Sequence, residues 1–248
     1  MHILLVNDDG YKAEGINTLF SVLTSFGHDV YIIAPHTEQS AKSHAMTVIG
    51  DVTIYKHDEH HYSLEGTPAD CVIIPLQAEI LPFKPDVVIS GINHGYNLSS
   101  DTIYSGTCGA ARQAQMYGYP AIAISANKDN DGKYDFVSPS KYLATKLENF
   151  VSILDGESFL SLNFPPHWNG RVEKASLGVF EYNDDYKITE DGDKLILKCS
   201  GCKTHWLNRD DKNLYPGDNE LCEKAIATAT IINIHPSYDI GRMNKLIL

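Results

Sequence analysis

Short apolar runs alternate with helical spacings along the first 165 residues, and this alternation constrains the fold more than any other feature of the chain. Residues 3–6 are wholly apolar and branched, as in a strand buried on both faces of a parallel sheet. After the polar turn Asn7-Asp8-Asp9-Gly10, the side chains Ile16, Leu19, Phe20, Leu23 and Phe26 recur at helical spacing, and Gly27 supplies a stop. Residues 30–34, closed by Pro35, form a second strand. Strand, helix and strand in that order make a βαβ unit, whose crossover is right-handed.

The pattern repeats. Thr67-Pro68-Ala69-Asp70 combines a capping hydroxyl, a proline at the first helical position and an acidic residue in the first turn, opening a helix toward Ile80. There follow a strand over 86–90, a helix over 105–117 stopped by Gly118, a strand over 121–125, a helix from Ser138-Pro139 to about 154 and a strand over 159–163. The fold class is therefore α/β, with a doubly wound and mostly parallel sheet. Beyond Pro165-Pro166 the character changes. Strand-like pieces at 195–198 and 205–207 lie between polar turns, 220–225 reads as a short helix and 228–234 as a strand. A single domain is expected, with 1–165 as its α/β core and 166–248 as a β-rich C-terminal extension serving assembly.

Composition narrows the partners. The 248 residues carry 20 Lys and Arg against 32 Asp and Glu, a net charge of −12. So acidic a chain argues against a nucleic-acid polymer or an anionic membrane as partner, because both need clustered Lys and Arg. A small anion stays compatible if a cation intervenes. No apolar run reaches the roughly 18 residues of a membrane helix, and Met1-His2-Ile3-Leu4-Leu5-Val6 lacks the basic flank of a secretory signal. Five scattered cysteines, Cys71, Cys108, Cys199, Cys202 and Cys222, suit a reducing compartment. A soluble, cytoplasmic protein is expected.

In an open α/β sheet, ligands bind beyond the carboxyl ends of the strands, and three polar clusters fall there. Asp8-Asp9 follows the first strand, either to converge on a divalent cation or as solvated charges of an Asp-Gly turn. Ser90-Gly91-Ile92-Asn93-His94-Gly95-Tyr96-Asn97 follows the run 87–89; its glycines allow close backbone approach and its Asn side chains offer neutral oxygens and amide donors. Tyr104-Ser105-Gly106-Thr107 enters a helix, where N–H groups and two hydroxyls suit a phosphate, or where Ser105 is an ordinary cap. Oxygen-only ligands favour Mg²⁺, Mn²⁺ or Ca²⁺ over zinc. A hard cation beside a phosphate cradle points to phosphoryl chemistry.

Taken in order, Asn7-Asp8-Asp9-Gly10 with Gly15-Ile16, Ala34-Pro35 leading to Gln39-Ser40, Glu65-Gly66-Thr67-Pro68-Ala69-Asp70, the segment 90–97 and Tyr104-Ser105-Gly106-Thr107 resemble the SurE family, the stationary-phase survival nucleotidases. The likeness is close over residues 1–125 and looser through Asn163-Phe164-Pro165 and the terminal strand. It implies a Rossmann-like core and a metal-dependent hydrolase of nucleoside 5′-monophosphates, with 3′-monophosphates left open, assembled as a homodimer or homotetramer through its C-terminal part. It also implies a divalent cation in each subunit on Asp8, Asp9, Ser40 and Asn93, and phosphate contacts from Asn97, Ser105, Gly106 and Thr107. Asp8 or Asp9 would accept the proton of the attacking water. Members commonly carry Arg-Ser-Gly or Arg-Ser-Ala around the ligand serine. This chain has Gln39-Ser40-Ala41-Lys42 instead, which leaves open whether Lys42 or His44 replaces a cationic contact to substrate.

Rival readings are weaker. An aspartyl-phosphate receiver also places paired acids after its first strand, but it needs an acceptor Asp and a Lys at later strand tips, where this chain has Ser90-Gly91 and Ser125-Ala126 with Lys128 close by. A haloacid-dehalogenase-type phosphatase needs Asp-x-Asp, and Asp8-Asp9 has no intervening residue. Cys199-Ser200-Gly201-Cys202 with His205 and Cys222 invites a zinc reading, but a second Cys-x-x-Cys is lacking and small semi-buried residues flanking a turn explain it better. His57, His60 and His61, with Asp58 and Glu59, read as a solvated hairpin tip, and Trp168 and Trp206 as ordinary packing.

Overall fold

The computed structural model describes residues 1–154, 156–206 and 215–235, with Glu181 and residues 200–206 described by their backbone alone. The chain runs β1 (His2–Val6), α1 (Glu14–Ser25), β2 (Asp29–Pro35), β3 (Ile54–Lys56), β4 (His61–Leu64), α2 (Asp70–Gln77) and β5 (Val87–His94). It continues through α3 (Asp101–Tyr104), α4 (Gly106–Met116), β6 (Ala121–Ala126), α5 (Val137–Ser152), β7 (Ser158–Phe164) and β8 (Val172–Lys174). The last elements are β9 (Phe180–Asp191), β10 (Lys194–Trp206), α6 (Asp218–Glu223) and β11 (Ala227–Asn233).

One nine-stranded sheet has the order β3-β4-β2-β1-β5-β6-β7-β11-β8. Its centre is parallel, from β4 through β7. The apolar runs form strands because helices cover both faces. Ile3 and Leu5 of β1 share one core with Ile16, Leu19 and Leu23 of α1 and with Leu143 and Leu147 of α5. Leu4 and Val6, pointing the other way, share a second core with Cys71 and Val72 of α2 and with Ala110, Ala111 and Ala114 of α4. α2 is shorter than the sequence suggests, starting at Asp70 and ending at Gln77; ahead of it, Thr67 Oγ1 accepts the Asp70 N–H at 3.2 Å while an Asp70 carboxylate oxygen accepts the Thr67 N–H at 2.9 Å.

Three local departures from the sequence pattern stand out. β5 runs on to His94 instead of ending at Ser90: after a register shift, Asn93 and His94 pair with Ser125 and Ala126 of β6, so polar residues that read as loop lie on a strand. Gly91 makes this path accessible, since its φ is +134° and a Cβ there would sit 2.1 Å from the Ile124 carbonyl oxygen. The short piece at 195–198 and the described part of the piece at 205–207, residues 205–206, belong to one long strand, β10, paired antiparallel with β9, which lacks clean alternation and was not legible as a strand. α5 begins at Val137, after Phe136, and Asp135 Oδ1 accepts the Ser138 N–H at 3.0 Å, so Ser138 lies inside the helix and is not its cap.

The part after residue 166 therefore divides. β11 lies antiparallel on β7 and carries β8 on its other edge, extending the main sheet, while β9 and β10 form a separate hairpin. Among the described residues, no helix is long and apolar enough to cross a membrane.

Candidate functional site

β1 sits between β2 and β5, and the chain leaves β1 through α1 toward β2 but returns later to β5 on the opposite side. The crevice outside the carboxyl ends of β1 and β5 is therefore a topological switch point. Asp8, Ser40, Asn93, Asn97 and Ser105 line a single cleft of about 290 Å³ there.

Asp8 and Asp9 are free for chemistry because the turn after β1 is made by their neighbour. Asn7 Nδ2 donates to the Gly10 carbonyl at 2.9 Å and Asn7 Oδ1 accepts the Gly10 N–H at 3.2 Å. Asp8 is 3% exposed, and Thr107 Oγ1 donates to its Oδ1 at 2.5 Å. Burial, with the Asp9 charge adding to it, pushes the Asp8 carboxyl up to about 6 against the pull of the Thr107 hydrogen bond. Asp9 takes a different partner: its Oδ1 lies 3.0 Å from His94 Nδ1 and its Oδ2 accepts the His94 N–H at 3.2 Å. That carboxylate raises the His94 imidazole above its ordinary value, against partial burial.

The loop after β2 is tied to the same point. The Gln39 N–H donates to the Asp8 carbonyl at 2.7 Å, and Ser43 N–H donates to the Tyr104 carbonyl at 2.8 Å. Ser40, exposed at the cleft, donates its hydroxyl to Glu38 Oε1 at 2.7 Å. His44 faces away, with Nε2 2.9 Å from Gln113 Oε1 of α4. Asn93 donates its amide to the Gly95 carbonyl at 3.0 Å, which leaves its side-chain oxygen as an acceptor.

The far wall is the start of α4. Ser105 caps that helix, its Oγ accepting the Cys108 N–H at 3.0 Å. The first-turn N–H groups of Gly106 and Thr107 have no acceptor within the helix. Gly106 is required by proximity: a Cβ would lie 2.9 Å from the Asp8 Cβ and 2.9 Å from Pro68 Cγ. Asn97 is held from behind, with Asn163 Oδ1 accepting its N–H at 2.8 Å, Asn163 Nδ2 donating to its carbonyl at 3.2 Å, and its own Nδ2 donating to Ser125 Oγ at 2.9 Å.

Asp9, Gly106 and Thr107 thus stand behind the lining residues, each touching one of them or bracing a neighbour. The cleft also contains residues with no role assigned from sequence: His94, Tyr96, Asp101, Tyr104 and Tyr182. His94 and Tyr104 belong to quoted motifs and could have been found. Tyr182 comes from the β9–β10 hairpin, which docks on the α3 region through the Phe180 N–H donating to Ser100 Oγ at 3.1 Å, and no local signal announced it. Tyr104 and Tyr182 meet edge to face with ring centroids 6.0 Å apart.

Outside the cleft, His57, His60 and His61 occupy the β3–β4 hairpin tip, where His61 Nδ1 lies 2.8 Å from Asp58 and His57 Nε2 lies 2.8 Å from Ser63 Oγ. The side chains of Cys202, His205 and Trp206 lie outside the described residues. Trp168 packs edge to face on Phe164 at 5.0 Å and on Tyr142 at 5.5 Å. Among the described residues, no group of three His, Cys, Asp or Glu is arranged to hold a metal.

A family model described as "Survival protein SurE" matches residues 3–185. A "5′-nucleotidase SurE" of Desulfitobacterium hafniense (strain DSM 10664 / DCB-2) is 41% identical over 189 residues, 73% of each chain. A "5′-nucleotidase SurE" of Clostridium botulinum (strain ATCC 19397 / Type A) is 37% identical over 211 residues, covering 81% of this chain and 82% of that one. Among solved structures, the SurE protein from Aquifex aeolicus superposes with a TM-score of 0.82 at 26% identity, over 99% of this chain and 98% of that chain.

Proposed function

The chain belongs to the SurE family, and on that footing we propose that it is a 5′-nucleotidase, a phosphomonoesterase that hydrolyses nucleoside 5′-monophosphates to nucleoside and phosphate. The observation that carries this reading is the meeting of Asp8, Asn93 and Ser105 in one cleft from three different strand and helix ends. A receiver-type regulatory domain is not favoured.

The donor set fits a hard divalent cation, Mg²⁺, Mn²⁺ or Ca²⁺. It is all oxygen, it is built from two carboxylates, an amide and a hydroxyl, and burial leaves the Asp8 charge in need of a positive partner. Asp8, Asp9, Ser40 and Asn93 are the proposed ligands. When bound, such an ion polarises the phosphoryl group and acidifies the attacking water.

The protein groups supply the rest. The N–H groups of Gly106 and Thr107, at the positive end of the α4 dipole, stabilise the phosphoryl oxygens. Ser105 can add its O–H, because the Cys108 N–H occupies only a lone pair, and Asn97 can add the amide hydrogen not given to Ser125. These donors are fixed before substrate arrives, which is what transition-state stabilisation needs. Asp8 or Asp9 takes the proton from water, and His94 orients Asp9. Location in the cytoplasm and assembly as a homodimer or homotetramer through the C-terminal part complete the proposal. Supporting assembly, the hairpin exposes Tyr186, Ile188, Leu195, Ile196 and Leu197.

The test is phosphate release from a panel of 5′- and 3′-mononucleotides with Mg²⁺, Mn²⁺ or a chelator. Turnover of 5′-mononucleotides that the chelator abolishes is the expected result. Turnover unaffected by chelation would overturn the metal assignment, and no release from any mononucleotide would overturn the activity.

A further inference from the structure

We propose that Asp101 is the general acid that protonates the leaving nucleoside oxygen, a role that rests on the phosphomonoesterase reading above. A nucleoside alkoxide is a poor leaving group, and Asp8 and Asp9 are assigned to the opposite task of removing a proton from water. A separate proton donor is needed on the leaving side.

Asp101 meets the requirements of place and protonation. It lines the same cleft as Asp8, Asn93 and Ser105, and its carbonyl accepts the Ser105 N–H at 3.0 Å, which ties it to the phosphate-binding turn. Its Oδ1 is buried and has no hydrogen-bond partner among the described residues. An ionised oxygen left so would be costly and a neutral one less so, which favours the protonated carboxyl. Its neighbour Asp218 is occupied differently, accepting the Ser99 N–H at 2.6 Å, the Ser99 hydroxyl at 2.7 Å, the Gly178 N–H at 3.1 Å and the Asn219 N–H at 3.0 Å. Asp218 thus has four donors of its own, and its charge works against one on Asp101. Burial, then the Asp218 charge, raises the Asp101 carboxyl to about 6. The other titratable groups around it are the Cys108 thiol of α4 and, in the cleft, Asp8, Tyr104 and Tyr182.

The step balances. Water oxygen bonds to phosphorus as its proton passes to Asp8 or Asp9; the bond from phosphorus to the ester oxygen breaks with its electron pair on that oxygen; and the Asp101 proton completes the nucleoside hydroxyl. Solvent then returns one proton from the base to Asp101, leaving nucleoside and phosphate.

The experiment compares wild type, Asp101→Asn and Asp101→Glu on a 5′-mononucleotide and on p-nitrophenyl phosphate, whose leaving group needs no proton, across pH. Asp101→Asn is expected to lose about 100-fold or more in kcat/KM on the mononucleotide but less than about 5-fold on the activated ester, and to lose the basic limb of the pH profile. Asp101→Glu keeps a carboxyl and keeps that limb. Equal losses on the two esters, or a basic limb retained in Asp101→Asn, would overturn the proposal. A wild-type protein that hydrolyses neither ester would instead remove the nucleotidase reading beneath it.

Discussion

The Thr107 hydroxyl donates to Asp8 Oδ1 at 2.5 Å, joining the tip of β1 to the first turn of α4 across 99 residues of sequence. The two halves of the proposed chemistry, carboxylate and phosphate cradle, are therefore not independent. A side chain that reads from sequence as a phosphate contact uses its proton on the carboxylate, and its backbone N–H is what remains for the anion.

Thr107→Val keeps the shape and removes that donor. The outcome expected is a folded protein whose Mn²⁺ affinity, measured by isothermal titration, falls about 10- to 100-fold, as when the orienting partner of a metal ligand is lost. Unchanged affinity would mean that Asp8 does not depend on this contact.

Gly106→Ala tests how closely α4 approaches Asp8. The added methyl would meet Asp8 Cβ and Pro68 Cγ, both at 2.9 Å, so the helix and the carboxylate must separate. Such displacement is expected to cost about 100-fold in kcat/KM, with a fall in Tm small enough to leave the protein folded at 25 °C.

Asn163→Ala leaves the backbone N–H and carbonyl of buried Asn97 without their partner. Two orphaned groups predict a loss of about 2–4 kcal/mol in urea unfolding. A rise in KM should accompany it, because Asn97 is no longer fixed in the cleft.

The Asp101 carboxyl is raised from 3.8 to about 6 in the folded chain. A raised value means that its contribution to stability is full below pH 3.8 and is lost as pH climbs through about 6. Asp101→Asn should therefore raise Tm at neutral pH and flatten the decline of stability over that interval. A Tm profile parallel to wild type throughout would contradict the assigned environment.

How far the sequence reached depended on how local each determinant is. β1, α1 and β2 are legible because burial on both faces demands apolar runs and helical spacing, and Ile3, Leu5, Ile16 and Leu19 do share one core. The β9–β10 hairpin was legible only in part: 195–198 and 205–207 read as strand-like, but β9 and the length of β10 did not, since the two strands pair with each other and expose Ile188, Leu195 and Leu197, so no alternation of burial marks them. In the cleft, the motif around Asn93 was visible, but its place on β5 depends on a register shift against β6 that spacing does not encode. Asn163 and Tyr182 enter the site through tertiary contacts from distant segments, whereas Asp101 lies between Asn97 and Ser105 and is set apart only by burial and by Asp218 from a distant segment. The orientation of His44 toward Gln113 is of the same kind: the sequence left it beside Ser40, and the fold turned it to α4.

Asp8 is the residue on which the account turns, being buried, hydrogen-bonded to Thr107 and pressed against Gly106. The most direct measurement is the steady-state rate of phosphate release from a 5′-mononucleotide by Asp8→Asn at saturating Mn²⁺. The substitution is nearly isosteric, and Asn still offers an oxygen to Thr107. The account predicts a cooperative melt like that of wild type with kcat reduced about 1,000-fold or more, the scale on which a group central to transition-state charge acts. Turnover within about tenfold of wild type would contradict it.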